Sequence, residues 1–525
     1  MKILISDPIE QSCVDILKRE GFQVDMKPGI PAEEIKKIIS EYAALIVRSG
    51  TKVTADIIAG AKAMKVIGRA GAGVDNIDVE AASRRGIIVM NTPGGNTIST
   101  AEHTVAMMLA LARNIPQAHM SLVNDKWDRK KYMGTEVFGK TLGVIGMGKV
   151  GREVALRCQA FGMTIIGFDP VLASDVASKL GVELVPLEEI YRRSDFITVH
   201  TPFTDETKGI LNEKTLLKCK KGVRLINCAR GGIIDESALL ASLNSGHVAG
   251  AALDVFVKEP PTGNPLLQHP KVIATPHLGA STEEAQEKVA IQIAEQLADA
   301  LLDRGISGAV NAVALQSGIP AELKPYLLLA EKIGSLQAQI MKGKLRDLTI
   351  ATRGELLQKH VDLLTTAVLK GFFSKLMSEP VNYINAPLLA GSMGIRINER
   401  KERDGENYSH LLTVEYATDV EERSFAGTVF GTTGPRIVRI DLFSFEVNPD
   451  GILLFYTNTD KPGMLAKVGS ILADASINIA GLSLGRSAVG GKALTVVSVD
   501  NRISEDVLAR ISLIEGVHEA KVVAL

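Results

Sequence analysis

The chain has 525 residues, 46% of them hydrophobic and 23% charged, with a formal net charge of −1. That length is too great for one core and points to roughly three or four domains, and the near-zero charge argues against nucleic acid or an acidic membrane as partner. Cys13, Cys158, Cys219 and Cys228 are widely spaced with no C-x-x-C pair, which argues against a metal site or a disulfide framework, and no apolar stretch reaches the roughly 18 residues of a membrane span; the expectation is a soluble protein of a reducing cytoplasm.

Residues 1–95 alternate short apolar runs (Ile3–Ser6, Ala44–Arg48, Val66–Arg69, Ile87–Asn91) with charged segments of helical period. This rhythm predicts a parallel sheet. A long helix follows from Asn96 to Arg113, with Thr97, Ser99 or Thr100 as candidate caps. A second series has strands near 141–146, 164–168, 196–200, 223–227, 249–253 and 271–275, then a second long helix over about 281–303. Two long helices bracketing the second series mark it as an insertion. The expected domains are 1–97 plus 285–315, which is discontinuous; 98–284; 316–450, of mixed α+β type; and 451–525. In the third, helices over about 321–341 and 355–378 precede strands near 411–417, 424–430 and 436–447. The last reads βαββαβ, a ferredoxin-like unit. The first two are expected to be doubly wound, Rossmann-like parallel-sheet domains.

The segment G-M-G-K-V-G opens directly on the strand ending at Gly146 and leads into a helix; the next strand ends at Asp169. Gly146, Gly148 and Gly151 permit a tight turn, close approach of a pyrophosphate and close helix packing, and the helix N-terminus offers free N–H groups to phosphate. Asp169 suits two ribose hydroxyls and would repel a 2′-phosphate, so NAD is preferred over NADP. Later strands end at Thr201, at Cys228-Ala229-Arg230, at Asp254 with Glu259 beyond it, and at His277. In an open parallel sheet these ends gather around the cofactor crevice. Oxidation of a 2-hydroxy acid by hydride transfer needs a base for the hydroxyl proton, and His277 paired with Glu259 suits it. Arg230 can hold the substrate carboxylate. His200 is a rival base, read as mainly structural, and His103 is read as packed within its helix.

The segments V-I-G-M-G-K-V-G-R-E-V-A, V-H-T-P, N-C-A-R-G-G-I-I-D-E, A-L-D-V-F and P-H-L-G-A-S-T together resemble the D-isomer-specific 2-hydroxy acid dehydrogenases. The resemblance implies Arg230, Glu259 and His277 as the catalytic set. It implies cofactor contacts at Ala72, Lys149, Val150, Asp169, Thr201, Cys228, Ala229, Arg230, Asp254, His277, Gly279 and Ala280. V-R-S-G-T-K-V-T, G-R-A-G-A-G-V-D-N-I-D and K-W-D-R-K-K-Y-M-G-T-E look like members that act on 3-phosphoglycerate. They imply substrate contacts at Arg48, Ser49, Arg69, Gly71 and Arg129, the last reaching a neighbouring subunit's site. A phosphate favours such guanidinium forks.

N-T-D-K-P-G-M-L-A-K-V (458–468) followed by S-I-N-I-A looks like an ACT domain. Asp460 and Asn478 match effector-binding positions there, implying L-serine as effector and a homo-oligomer, dimer or tetramer. Asn458 stands where a His occurs in one serine-inhibited form. The expected reaction is oxidation of 3-phospho-D-glycerate to 3-phosphooxypyruvate with NAD, the first step of L-serine synthesis, with 2-oxoglutarate reduction as a side activity. The alternatives are a glyoxylate, hydroxypyruvate or 2-oxoglutarate reductase, and an NAD-binding transcriptional corepressor.

Overall fold

In the computed structural model, all residues are described except 313, 314, 316–318, 379, 404–406 and 432–433. Four sheets organise the described residues. The first is parallel, in the order Gln23–Met26, Lys2–Ile5, Ala44–Val47, Val66–Arg69, Ile88–Asn91. Its inner strands are short, mainly apolar runs, and Ala44–Val47 is wholly apolar and buried on both faces. Helix Glu283–Leu301 lies directly on this sheet: a Cβ added at Gly68 would meet Ile293 at 3.0 Å. Val289, Ala290, Ile293, Ala294 and Leu297 join Ile3, Ile5 and Ile46 in one core.

The second sheet is also parallel, in the order Val272–Ala274, Val248–Leu253, Val223–Asn227, Phe196–Val199, Thr141–Ile145, Thr164–Phe168, Glu183–Leu184. The chain winds outward from Thr141–Ile145 on one side and returns to wind outward on the other. The reversal lies between that strand and Phe196–Val199, where a crevice opens beyond the strand ends. Helix Thr97–Arg113 buries Ala101, Val105, Met108 and Leu111 against this sheet. Asn96 precedes it without a side-chain cap bond. The Ser99 and Thr100 hydroxyls instead reach Thr282 Oγ1 (2.8 Å) and the Gly279 carbonyl (3.1 Å), joining the two long helices' starts.

The third sheet is mixed, in the order Arg396–Lys401, Leu345–Arg353, Leu411–Thr418, Glu422–Phe430, Gly434–Ile440, Phe443–Val447. The stretch expected as one strand over 436–447 is a hairpin. Asp441 turns at φ +52° and accepts Arg423 Nε at 2.7 Å and Ser424 N at 2.9 Å. The expected helix over 355–378 is two, Glu355–Lys359 and Val361–Phe373, parted at His360. The fourth sheet is antiparallel, in the order Ile479–Arg486, Lys492–Val499, Ile452–Thr459, Val517–Ala524. Helices Met464–Asp474 and Glu505–Ser512 cover one face, giving the βαββαβ unit. Among the described residues no helix is long and apolar enough to cross a membrane.

Candidate active site

At the crevice of the second sheet, Gly146 follows its strand at φ +94°, and helix Lys149–Ala160 starts immediately beyond. A Cβ on Gly146 would lie 2.6 Å from the His200 carbonyl oxygen, so only glycine lets the two neighbouring strand ends approach this closely. A Cβ on Gly151 would collide with Gly146 O, and one on Gly148 would meet nothing within 4 Å. Gly148 therefore leaves a cradle over an uncapped helix N-terminus, the geometry that receives a pyrophosphate. Asp169 accepts from the N–H groups of Met147, Val171 and Leu172, each at 2.9 Å. Burial opposes its ionisation, but those donors and Arg152 hold the carboxyl below the usual carboxylate range. It thus stands charged at the strand end where a ribose would lie. The Thr201 hydroxyl lines the same crevice and is buried with no hydrogen-bond partner among the described residues. An orphan donor, an open glycine and an ionised carboxylate fit a dinucleotide.

The crevice continues into a cleft of about 390 Å³ between the first two sheets. Ala72, Val150, Thr201, Cys228, Ala229, Arg230, His277, Gly279 and Ala280 all line it. Lys149 reaches across toward the Pro93 carbonyl at 3.5 Å. His277 Nδ1 lies 2.8 Å from Glu259 Oε2, and Glu259 Oε1 accepts Phe256 N at 3.1 Å. Bonding at Nδ1 fixes the ring and leaves Nε2 as the nitrogen available for proton transfer.

His277 sits at φ +57°, with its N–H donated to the Asp254 carbonyl at 3.0 Å. Asp254 itself is fully buried and does not line the cleft. Its carboxylate accepts Leu278 N (2.7 Å), Gly279 N (2.8 Å) and Thr275 Oγ1 (2.6 Å), with His103 Nε2 at 3.2 Å. Burial works against the charge, yet these donors bring the carboxyl down to about 2. Cys228, whose thiol burial pushes up to about 12, completes a group with His103 and Asp254 whose ligand-type atoms lie within 4.8 Å of one another. With the Asp254 oxygens already taken by donors, this knot holds the His277 loop. His200 is driven down to about 4 by burial and contacts Thr198 Oγ1 at 2.9 Å.

Opposite, the loop after Val66–Arg69 brings a second guanidinium. Arg69 Nε donates to Asn76 Oδ1 at 3.1 Å, and the rest of the group lies over Gly71, whose N–H donates to Thr92 Oγ1 at 2.8 Å. Burial, then the neighbouring cations Arg230 and Arg48, lower Arg69 to about 10. Arg48 Nη1 donates to the Pro8 carbonyl at 3.2 Å, and Ser49 beside it is exposed. Arg129 is exposed on the segment after helix Ile115–Val123, and of the expected substrate contacts Arg48, Ser49, Arg69, Gly71 and Arg129 none is among the residues lining this chain's cleft. Asp460 and Asn478 take separate partners: Arg486 and Gly490, each at 3.3 Å, and Asp500 at 2.6 Å. Sequence reasoning missed Asp75, Asn76, Thr100 and the role of His103. The G-V-D-N-I-D segment and the i, i+3 spacing of Thr100 and His103 on one helix face were the available signals.

Fold and crevice together define an NAD-dependent oxidoreductase of the 2-hydroxyacid dehydrogenase class. The family described as D-isomer specific 2-hydroxyacid dehydrogenase, NAD binding domain, matches residues 105–279. The D-3-phosphoglycerate dehydrogenase intervening domain matches 322–441, and the ACT domain matches 452–512. The D-3-phosphoglycerate dehydrogenase of Synechocystis sp. is 44% identical over 525 residues, covering 100% of this chain and 95% of that one. The Bacillus subtilis protein of the same name is 42% identical over 524 residues, covering 100% and 99%. Among solved structures, an NAD-dependent formate dehydrogenase from Staphylococcus aureus in complex with NAD matches with a TM-score of 0.54 at 29% identity, covering 58% of this chain and 97% of that one. The chain belongs to the D-3-phosphoglycerate dehydrogenase family.

Proposed function

We propose that the protein oxidises 3-phospho-D-glycerate to 3-phosphooxypyruvate with NAD, supplying the pathway to L-serine. The observation behind this reading is the cluster of guanidinium groups, Arg230, Arg69 and Arg48, whose charges repel one another beside the cleft. Arg230 lines the cleft from the second sheet, and the half-buried Arg69 at the edge of the first lies near enough to feel the charges of Arg230 and Arg48. Such a concentration of positive charge suits a ligand with an anion at each end. Arg230 takes the carboxylate and Arg69 the phosphate. His277 Nε2 removes the hydroxyl proton, and Glu259 stabilises the resulting imidazolium at Nδ1. NAD, when bound, would supply the hydride acceptor for C2. Gly148, Asp169 and Thr201 hold the cofactor, as do the backbone groups of Ala72, Cys228 and Gly279.

The same reading includes a homo-oligomer in which Arg129 serves a neighbouring subunit. Met120, Leu122, Val123, Trp127 and Met133, all exposed around that segment, support it. L-serine as an effector at Asp460 and Asn478, and 2-oxoglutarate reduction as a side activity, belong to the proposal too. Steady-state NADH formation with 3-phospho-D-glycerate tests it. His277→Ala is expected to lower kcat by roughly 10²–10⁴-fold, and Arg69→Ala mainly to raise KM. Turnover of glyoxylate or hydroxypyruvate with none of phosphoglycerate would overturn the substrate and leave the catalytic roles standing.

A further inference from the structure

The Arg230 guanidinium has two edges that can grip a carboxylate in bidentate fashion, and each has one arm engaged. Nη1 donates to the Ala229 carbonyl at 2.7 Å, and Nε donates to Asp75 Oδ2 at 3.1 Å. Nη2 lies over Gly73, where any side chain would collide with it. The Ala229 contact is with the adjacent residue of the same loop. The Asp75 contact spans the cleft, from the loop after strand Val66–Arg69 to the loop after strand Val223–Asn227. The Asp75 side chain is 69% exposed and has no second hydrogen-bond partner among the described residues. An incoming carboxylate that takes the Nε edge must therefore displace Asp75, the freer of the two partners.

We propose that Asp75 is an internal carboxylate that competes with the substrate's own carboxylate for Arg230, and so sets how tightly substrate and product are held. The hydrogen-bond competition is local to the carboxylate end of the ligand, while toward Arg69 Asp75 acts only as a nearby opposite charge. The phosphate end, at Arg69, meets Asn76 rather than Asp75 through hydrogen bonding. An exposed ion pair is worth at most about fivefold in an equilibrium constant. The charge left beside a bound carboxylate adds repulsion of similar size, so removing Asp75 is worth roughly threefold to tenfold. The inference rests on the reading of Arg230 as the carboxylate-binding residue.

The test is calorimetric titration of the full-length protein and its Asp75→Asn and Asp75→Glu variants with three probes: 3-phospho-D-glycerate, D-glycerate and inorganic phosphate. KM and kcat are measured alongside. Asp75→Asn is expected to tighten both carboxylate ligands by roughly threefold to tenfold, to change phosphate by less than about twofold, and to lower KM with kcat kept; Asp75→Glu should stay near wild type. Equal tightening of inorganic phosphate would reduce Asp75 to a general field effect and overturn the proposal. Weaker binding of the carboxylates, or a lost kcat at unchanged KM, would make it an orienting residue for Arg230 and overturn it as well. Should the wild type fail to bind 3-phospho-D-glycerate, the substrate reading falls, while the D-glycerate arm still decides the competition.

Discussion

Gly146 and Gly148 stand two residues apart in one turn, and the structure assigns them different burdens. Gly146→Ala places a Cβ 2.6 Å from the His200 carbonyl oxygen, 2.8 Å from its carbon and 2.9 Å from Thr201 Cγ2, at φ +94°. Two of those neighbours are backbone, so the strand ends must separate by several tenths of an ångström. A non-glycine residue held in that backbone region costs about 1–3 kcal/mol, and overpacking adds about 1–3 kcal/mol. For a unit of this size the result is a fall in Tm of roughly 5–15 °C. Gly148→Ala meets no protein atom within 4 Å and needs no positive φ. Its stability cost is confined to the poorer N-cap, about 1 kcal/mol, but its methyl group fills the cradle over the helix N-terminus. Calorimetric titration with NAD beside thermal melts separates the two. Gly148→Ala is expected to lose at least tenfold in NAD affinity with a Tm drop of no more than roughly 4 °C, and Gly146→Ala to lose both. NAD binding by Gly148→Ala at wild-type affinity would refute the path assigned to the pyrophosphate.

Glu259→Gln keeps a hydrogen-bonding group near His277 but removes the charge that stabilises the imidazolium; kcat should fall by roughly 10–100-fold with KM for NAD unchanged, read from initial rates. Asp254, at about 2 in the folded chain against an ordinary 3.8, stabilises the fold above the unfolded value. That contribution, about 2 kcal/mol, is lost as pH falls from about 4 to about 2, so Asp254→Asn should flatten the acid limb of a melt series. His200 runs in the same direction at higher pH. It stays neutral in the fold down to about 4 while the unfolded chain protonates near 6.5, so stability declines between those values and His200→Asn should reduce the slope. Asn382 accepts the N–H groups of Ile384 (2.9 Å) and Asn385 (3.2 Å) and donates to the Gly86 carbonyl at 2.8 Å, bridging the third and first sheets' surroundings. Asn382→Ala should cost about 1–3 kcal/mol and speed proteolytic cleavage between those regions.

The parallel sheets were legible because their inner strands are continuous apolar runs closed by polar or glycine-containing turns. Val66–Arg69 and Phe196–Val199 need no context to be recognised. Three edge strands carried no such signal, although the edges Ile88–Asn91 and Val272–Ala274 did. Gln23–Met26 is only partly buried, Glu183–Leu184 has two residues, and Arg396–Lys401 is exposed throughout. Each is a strand because a neighbour offers an open ladder, which is a tertiary fact. Leu345–Arg353 was missed because its charges at Arg346 and Asp347 broke the alternation. In the site, single strand ends could be read one by one, and that is how His277, Glu259 and Arg230 became candidates; Arg230 and His277 lie on the cleft, with Glu259 against His277. What joins two loops could not be read: the Asp75–Arg230 bond, or the His103, Thr275 and backbone donors converging on Asp254, depends on how one sheet faces the next or how a helix lies over it. Asp254 shows the limit of residue-type reasoning, since a carboxylate at a strand end is placed equally well in the crevice or behind it.

The helix Glu283–Leu301 that covers the first sheet arrives nearly two hundred residues after the last strand of that sheet, Ile88–Asn91. During synthesis at about 5–20 residues per second, Ile3, Ile5, Ile46 and Met90 emerge well before Ile293 and Leu297 exist to cover them. The second sheet has all its strands by Ala274 and can close first. The N-terminal sheet must then wait tens of seconds with one face covered only in part, by helix Gln11–Arg19, and a chain cut anywhere before residue 283 leaves it so permanently. The window of greatest exposure to aggregation and to chaperones thus falls on the part of the sequence that is made first.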